Sequence, residues 1–89
     1  MTRLPGDRRA QRLSIVVPVL NESAGIVAQL AALQPLRARG HELVVVDGGS
    51  DDDTPGLAAP FVDRVVASPA GRANQMNAGA AVALGDALL

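Results

Sequence analysis

Four carboxylates lie close together in the stretch VVVDGGSDDDT, residues 44–54 of this 89-residue sequence. Asp47 comes first, and Asp51, Asp52 and Asp53 follow after three intervening residues. Clustered carboxylate oxygens are the ligands that hard divalent cations prefer, so the stretch first suggests a metal site. The alternative is that Asp47 alone binds a ligand, while the other three are solvated and favour the N-terminus of a following helix through its dipole.

Asp47 directly follows an apolar, β-branched run, where its carboxylate could accept hydrogen bonds from a ribose hydroxyl or a base N–H. Gly48 and Gly49 would let the backbone approach a ligand closely or adopt a positive φ. Asp-Gly is also a common turn pair. The residues themselves therefore leave two interpretations of Asp47 open, a ligand-binding carboxylate and a solvated turn residue.

Three further polar side chains stand where they could meet a ligand. Asn21 and Glu22 follow the first apolar run, and each could cap the next helix or contact a nucleoside. Arg72 stands at the start of a predicted helix, where the dipole disfavours a cation, which suggests an anionic partner such as a diphosphate. The alternative for Arg72 is an ordinary surface arginine.

An alternation of strands and helices positions these residues. Short apolar, β-branched runs predict strands at residues 13–19, 42–46 and 63–67, and a strand beginning at 87–89. A first helix is predicted after the capping side chains of residues 21–23, and Thr54-Pro55 predicts a short second helix with Thr54 as its N-cap. The third helix is predicted at residues 72–84. The apolar stripes of the first and third helices are Ile26, Leu30 and Leu33, and Ala73, Met76, Ala80 and Leu84.

This order predicts an α/β fold, with a Rossmann-like parallel sheet and flanking helices. Ligands of such sheets bind beyond the carboxyl ends of the strands, so the loops after the first three strands should together form one pocket. Residues 1–12, with four arginines, predict a flexible leader. Leu89 stops inside an apolar run, so we expect residues 13–89 to be the front part of a larger domain.

Composition excludes several other classes. Without cysteine the chain has no disulfide and no thiolate metal site, which fits a cytoplasmic location. A net charge of −1 argues against a general nucleic-acid binder. The longest apolar run, residues 15–20, is far too short to span a bilayer. Neither the P-loop motif nor the dinucleotide-binding glycine motif is present.

Three blocks in order, SIVVPVLNES, VVVDGGSDDDT and SPAGRANQMNAGA, resemble the family 2 glycosyltransferases, which have the GT-A fold. The third block with the following ALGDALL looks most like a bacterial subgroup, the radical SAM/selenodomain-associated transferases. The resemblance runs from about Ser14 to Leu89. It implies a nucleotide-diphospho-sugar donor, most often a UDP-sugar, and a divalent metal, Mg²⁺ or Mn²⁺, in the full-length enzyme.

The resemblance also implies roles for individual residues. Asp47 would bind the base or ribose, Arg72 would face the diphosphate, and Asn77 and Gly79 would let the third helix pack near the nucleotide. Gly48 stands where the family often has a second acid. The residues expected to bind the nucleotide-sugar are Pro18, Leu20, Asn21, Glu22, Asp47, Gly49 and Arg72.

The family's metal-binding Asp-x-Asp is expected just past Leu89, and its catalytic base later, so the resemblance assigns no catalytic residue and no metal ligand in this chain. We therefore expect a truncated glycosyltransferase. Two alternatives remain, a non-catalytic nucleotide-binding module and a nucleotidyltransferase of similar topology. An open edge of the predicted sheet also predicts self-association.

Overall fold

The computed structural model describes residues 12–85 and the backbone of residues 87–88. Most of the predicted leader, and Leu89, lie outside the described residues. Arg12 is described, and its Nε donates a hydrogen bond to the Gly40 carbonyl, 3.0 Å away. Within the described part of the chain, no helix combines the length and the apolar character needed to cross a membrane.

Four parallel strands form one sheet, which confirms the predicted α/β architecture. The strands are β1 (Leu13–Val19), β2 (Glu42–Asp47), β3 (Arg64–Ala67) and β4 (Ala87–Leu88), in the order β3-β2-β1-β4. The β1–β2 register runs from Ser14 opposite Glu42 to Val19 opposite Asp47, so these two strands end side by side.

Helices connect the strands. They are α1 (Ile26–Ala31), α2 (Gln34–Ala38), α3 (Thr54–Ala58) with a following 3₁₀ turn (Ala59–Phe61), and α4 (Arg72–Val82). The predicted first helix is interrupted before Leu33, and α2 begins anew with Pro35 in its first turn. A proline at that position of a continuous helix would clash with the carbonyl of Ala31, four residues earlier, whereas the first turn of a helix tolerates it.

Apolar side chains cover both faces of the sheet, because successive residues of a strand point to opposite faces. The larger core lies on the face covered by α1 and α3, and the smaller on the face covered by α4. The larger core contains Ile15, Val17, Val19, Ile26, Leu30, Leu43, Val45, Ala58 and Val62. The smaller contains Val16, Val44 and Val46.

The predicted apolar stripe of α4 is wrong except at Met76. Ala73, Ala80 and Leu84 are exposed, and the helix ends at Val82, before Leu84. The buried residues of α4 are Gln75 and Gly79, with Met76, Ala78 and Val82 packed against the sheet. A Cβ atom at Gly79 would lie 2.4 Å from Val16 Cγ1, so the missing side chain is what brings the helix close to β1.

Glu42 is the exception in the apolar run that predicted β2, since it is charged and yet only 1% exposed. Its Oε1 accepts hydrogen bonds from the Ser14 hydroxyl at 2.7 Å and the Leu84 N–H at 2.8 Å. Burial raises the pKa of the Glu42 carboxyl. The hydrogen bonds from Leu84 and Ser14 and the positive charges of Arg12 and Arg64 together lower it by more, so the net shift of the pKa is downward. This carboxylate ties β1, β2 and the end of α4 together at the amino end of the sheet.

Candidate functional site

Three loops leave the carboxyl ends of β1, β2 and β3, and we name the first two loop 1 (residues 20–25) and loop 2 (residues 48–53). After β3 the chain crosses to the other side of β1, where β4 pairs. Such a reversal of strand order opens a crevice at the carboxyl ends, where open α/β sheets bind ligands. The structure has an open cleft of about 230 Å³ there, lined by Pro18, Val19, Leu20, Glu22, Arg72 and Gln75.

Four of the seven residues expected to bind a nucleotide-sugar line this cleft together: Pro18, Leu20, Glu22 and Arg72. The other three, Asn21, Asp47 and Gly49, lie in the adjoining loops and do not line it. Leu20 is 43% exposed and gives the cleft an accessible apolar wall. Val19 and Gln75 line the cleft without having been predicted to.

The carboxylate of Asp47 organises its own loop. It is 7% exposed, and its Oδ2 accepts hydrogen bonds from the Gly49 N–H at 3.1 Å and the Ser50 N–H at 2.9 Å. Its Oδ1 accepts a hydrogen bond from the Ser50 hydroxyl. Gly49 has a φ of 99°, as its predicted permissive role requires. Since a carboxylate offers about four acceptor positions, these three hydrogen bonds leave little capacity, and binding of a ligand by Asp47 stays a prediction.

Asn21 joins loop 1 to loop 2 instead of capping a helix. Its N–H donates to Ser50 Oγ at 2.8 Å, and its Oδ1 accepts from the Asp51 N–H at 2.7 Å. Its φ of 51° is left-handed, a conformation that asparagine tolerates better than most residues. The predicted capping of α1 by residues 21–23 is wrong, because Gly25 occupies the N-cap position and no side chain caps the helix.

The next two residues of loop 1 also donate their N–H groups to side chains near the end of loop 2. The Glu22 N–H donates to Thr54 Oγ1 at 2.8 Å, and the Ser23 N–H donates to Asp52 Oδ2 at 3.2 Å. The Glu22 side chain turns back, and its Oε2 accepts the Leu20 N–H at 3.0 Å. Three successive backbone donors of loop 1 are thus satisfied by residues about 30 positions away.

Asp52 is the exception among the three carboxylates that were expected to be solvated. Asp51 and Asp53 are exposed, but Asp52 is half-buried and accepts hydrogen bonds from the hydroxyl and the N–H of Thr54. The Thr54 hydroxyl is the largest cause of a pKa lowered to about 2, to which the Thr54 and Ser23 N–H groups add. Thr54 is the first residue of α3 and not its N-cap, which is Asp53.

Gln75 is the functional candidate that sequence reasoning missed. It is 6% exposed, and its Nε2 donates to the carbonyls of Val19 and Val46, both at 3.0 Å. The side chain therefore joins the ends of β1 and β2 from the α4 side. The sequence did contain a signal for the burial of Gln75. Gln75 and Gly79 are four residues apart and so share one face of the helix, and a glycine within a helix suggests a face that packs closely.

The described residues do not fit a divalent metal. Among residues 12–85, no group of three or more His, Cys, Asp or Glu side chains is placed to hold a metal ion. The oxygens of Asp47 accept hydrogen bonds from Gly49 and Ser50, and those of Asp52 from Ser23 and Thr54, so neither carboxylate is arranged with the other acids of residues 44–54 as a metal site.

Solved structures similar to this chain include a glucosyl-3-phosphoglycerate synthase and a mannosyl-3-phosphoglycerate synthase. Glucosyl-3-phosphoglycerate synthase from M. tuberculosis is 31% identical with a TM-score of 0.76, over 86% of this chain and 32% of that one. The same enzyme in complex with Mn²⁺, UDP and glucosyl-3-phosphoglycerate is 29% identical with a TM-score of 0.78, over 92% and 34% of the chains. Mannosyl-3-phosphoglycerate synthase from Rubrobacter xylanophilus is 26% identical with a TM-score of 0.78, over 92% and 31%.

The chain thus spans about a third of the length of these solved structures. No curated protein sequence matches it significantly. The family model described as "Glycosyl transferase family 2" matches residues 14–89.

Proposed function

This chain belongs to glycosyl transferase family 2, and from that membership we propose that residues 13–89 are the nucleotide-binding portion of an enzyme that uses a UDP-sugar donor. The fold is the N-terminal, Rossmann-like part of a GT-A glycosyltransferase, as in the similar synthases. Transfer of the sugar to an acceptor is proposed for the whole protein, because the chain covers only a third of those structures. The radical SAM-associated subgroup stays a prediction.

The observation that carries the proposal is the cleft at the carboxyl end of β1. It combines an apolar wall at Pro18 and Leu20, a carboxylate at Glu22 and a guanidinium at Arg72. An apolar wall suits the face of a base, and a carboxylate accepts hydrogen bonds from ribose hydroxyls.

Arg72 supports placing the diphosphate where the cleft meets the start of α4. It is the first residue of α4, and the first N–H groups of a helix have no carbonyl partner within that helix. Those N–H groups and the helix dipole favour an anion, and the guanidinium adds a charged, bidentate donor. The arginine that appeared misplaced in the sequence is thereby explained by an anionic ligand.

The M. tuberculosis synthase, captured with Mn²⁺ and UDP, supports a divalent metal for the family. Because the described residues bring together no group of three or more His, Cys, Asp or Glu side chains for such an ion, we assign no catalytic step to it here. The family match favours a glycosyltransferase over a nucleotidyltransferase. A nucleotide-binding module without catalysis would use the same cleft and the same residues.

Three further parts of the proposal concern the setting of the protein. A cytoplasmic location is supported by the absence of cysteine from the sequence, and a bacterial source by its arginine- and alanine-rich composition. Self-association would use β3, which stands at the edge of the sheet within the described residues.

Calorimetric titration of the chain with UDP tests the proposal. We expect weak binding by the wild-type chain and loss of binding in Asp47→Ala. Asp51→Ala is the matched control, because it removes a carboxylate from the same loop at an exposed position. A wild-type chain that does not bind UDP would refute the function. Unchanged affinity in Asp47→Ala would refute the role of that residue.

A further inference from the structure

The side-chain amide of Gln75 has an orientation that its surroundings determine. Both hydrogens of Nε2 are used, one by the Val19 carbonyl and one by the Val46 carbonyl. The reversed amide would set Oε1 against two carbonyl oxygens, which are acceptors and cannot donate. The hydrogen-bond network therefore assigns the nitrogen to the strand ends.

The remaining polar atom of this side chain is Oε1. Within residues 12–85, no group donates a hydrogen bond to it, although Gln75 is 94% buried. Every fully enclosed side-chain polar atom of the described residues has a partner, so Oε1, which has none, is not fully enclosed, and Gln75 lines the cleft. Oε1 can therefore still accept a hydrogen bond, and a ligand in the cleft can supply the missing donor.

We propose that Gln75 Oε1 accepts a hydrogen bond from an N–H or O–H group of the bound nucleoside, which makes Gln75 a specificity-determining residue. This inference rests on the proposed function, because it takes the cleft to be the nucleotide site. A ligand that lacks the donor leaves the acceptor unpaired in a mostly buried position, and such a ligand binds more weakly.

Gly48 supports the assignment, because the amide of Gln75 packs so closely against position 48 that a side chain there would have to shift it. A Cβ atom there would lie 3.0 Å from Gln75 Cδ, 3.1 Å from Nε2 and 3.2 Å from Oε1. The φ of Gly48 is not in the left-handed region, so the backbone does not itself require glycine. The glycine provides space for the amide, and Gly48 and Gln75 form a matched pair.

The test titrates the wild-type chain and Gln75→Leu with four ligands: UDP, N3-methyl-UDP, 2′-deoxy-UDP and 3′-deoxy-UDP. The wild-type chain should bind one analogue more weakly than UDP by about 2- to 10-fold, the range expected for one neutral hydrogen bond. The analogue concerned identifies the donor as the base N–H or one of the ribose hydroxyls. Gln75→Leu should lose this discrimination. Gln29→Leu, the same change at an exposed position of α1, should keep it.

Equal weakening of all four ligands by Gln75→Leu, with discrimination unchanged, would overturn the proposal, since it would show that Gln75 only holds the strands. A wild-type chain that binds all four ligands alike would overturn it too. Failure of the wild-type chain to bind any of them would refute the proposed function, and this inference with it. If Gln75→Leu does not fold, Gly48→Ala provides the same test, because its methyl group displaces the amide while residue 75 stays glutamine.

Discussion

Gly79→Ala is a sharp test of how closely α4 packs on the sheet. The added Cβ would lie 2.4 Å from Val16 Cγ1, and 3.1 Å from both Val16 Cγ2 and Val46 Cγ2. Carbon atoms in contact normally stand about 3.5–4.0 Å apart, so the helix or the valines must move by more than about 1 Å. Both valines are buried, and β-branched side chains are stiff at χ1, so the movement falls on the packing of the whole helix.

Two opposing effects determine the result. Replacing glycine by alanine inside a helix stabilises it by about 1 kcal/mol. Overpacking of a close-packed core costs about 1–3 kcal/mol, and a separation as short as 2.4 Å places this site at the upper end. We expect the free energy of unfolding to fall by about 1–2 kcal/mol. For a domain of this size, the Tm should fall by about 5–15 °C.

Urea and thermal unfolding followed by circular dichroism measure this change. Ala80→Gly, on the exposed side of the same helix, calibrates helix propensity and should cost about 1 kcal/mol. The double variant Val16→Ala/Gly79→Ala should lose less stability than the sum of its single changes, because the removed methyls make room for the new one. Stabilisation by Gly79→Ala of about 1 kcal/mol would refute the close approach of α4.

Two further predictions concern the contacts between loop 1 and loop 2. Thr54→Val removes the hydroxyl that accepts the Glu22 N–H in a fully buried position. In urea titrations, the free energy of unfolding should fall by about 1–3 kcal/mol. A fall of less than about 0.5 kcal/mol would contradict this contact. The pKa of Asp52 is lowered from 3.8 to about 2. The ionised Asp52 side chain therefore contributes its full stabilisation above about pH 5, and this stabilisation is lost as the pH falls from about 5 to about 2. Asp52→Asn should therefore flatten the acid side of a stability–pH profile, and an unchanged slope between pH 5 and 2 would contradict the assignment.

The sheet was predictable because β1 and β2, its central strands, are short and mostly apolar and β-branched, a pattern typical of buried parallel strands. The face of α4 was not predictable in the same way. In an alanine-rich helix, hydrophobic periodicity barely separates one face from another. The buried face is instead marked by Gly79, which allows close approach, and by Gln75, which binds two strand ends.

The ends of the predicted strands indicated a pocket formed by the loops after them, and Pro18, Leu20, Glu22 and Arg72, four of the residues that the family resemblance implies, line a cleft there. The predicted caps failed because capping rules consider neighbours in sequence. The hydrogen-bond partners of Asn21 are Ser50 and Asp51, which lie 29 and 30 residues later in the chain, in the loop that follows the neighbouring strand β2. Pairing over that distance depends on the β1–β2 register, which no local pattern specifies.

The hydrogen bonds between loop 1 and loop 2 have a consequence for the thermodynamics of binding. Part of the affinity of many loop-built sites is lost to ordering the loop when the ligand arrives. In this chain the backbone of Asn21, Glu22 and Ser23 is already held by Ser50, Thr54 and Asp52 before any ligand binds. Loop 1 is preorganised, so a ligand that binds beside it loses little affinity to the conformational entropy of this segment.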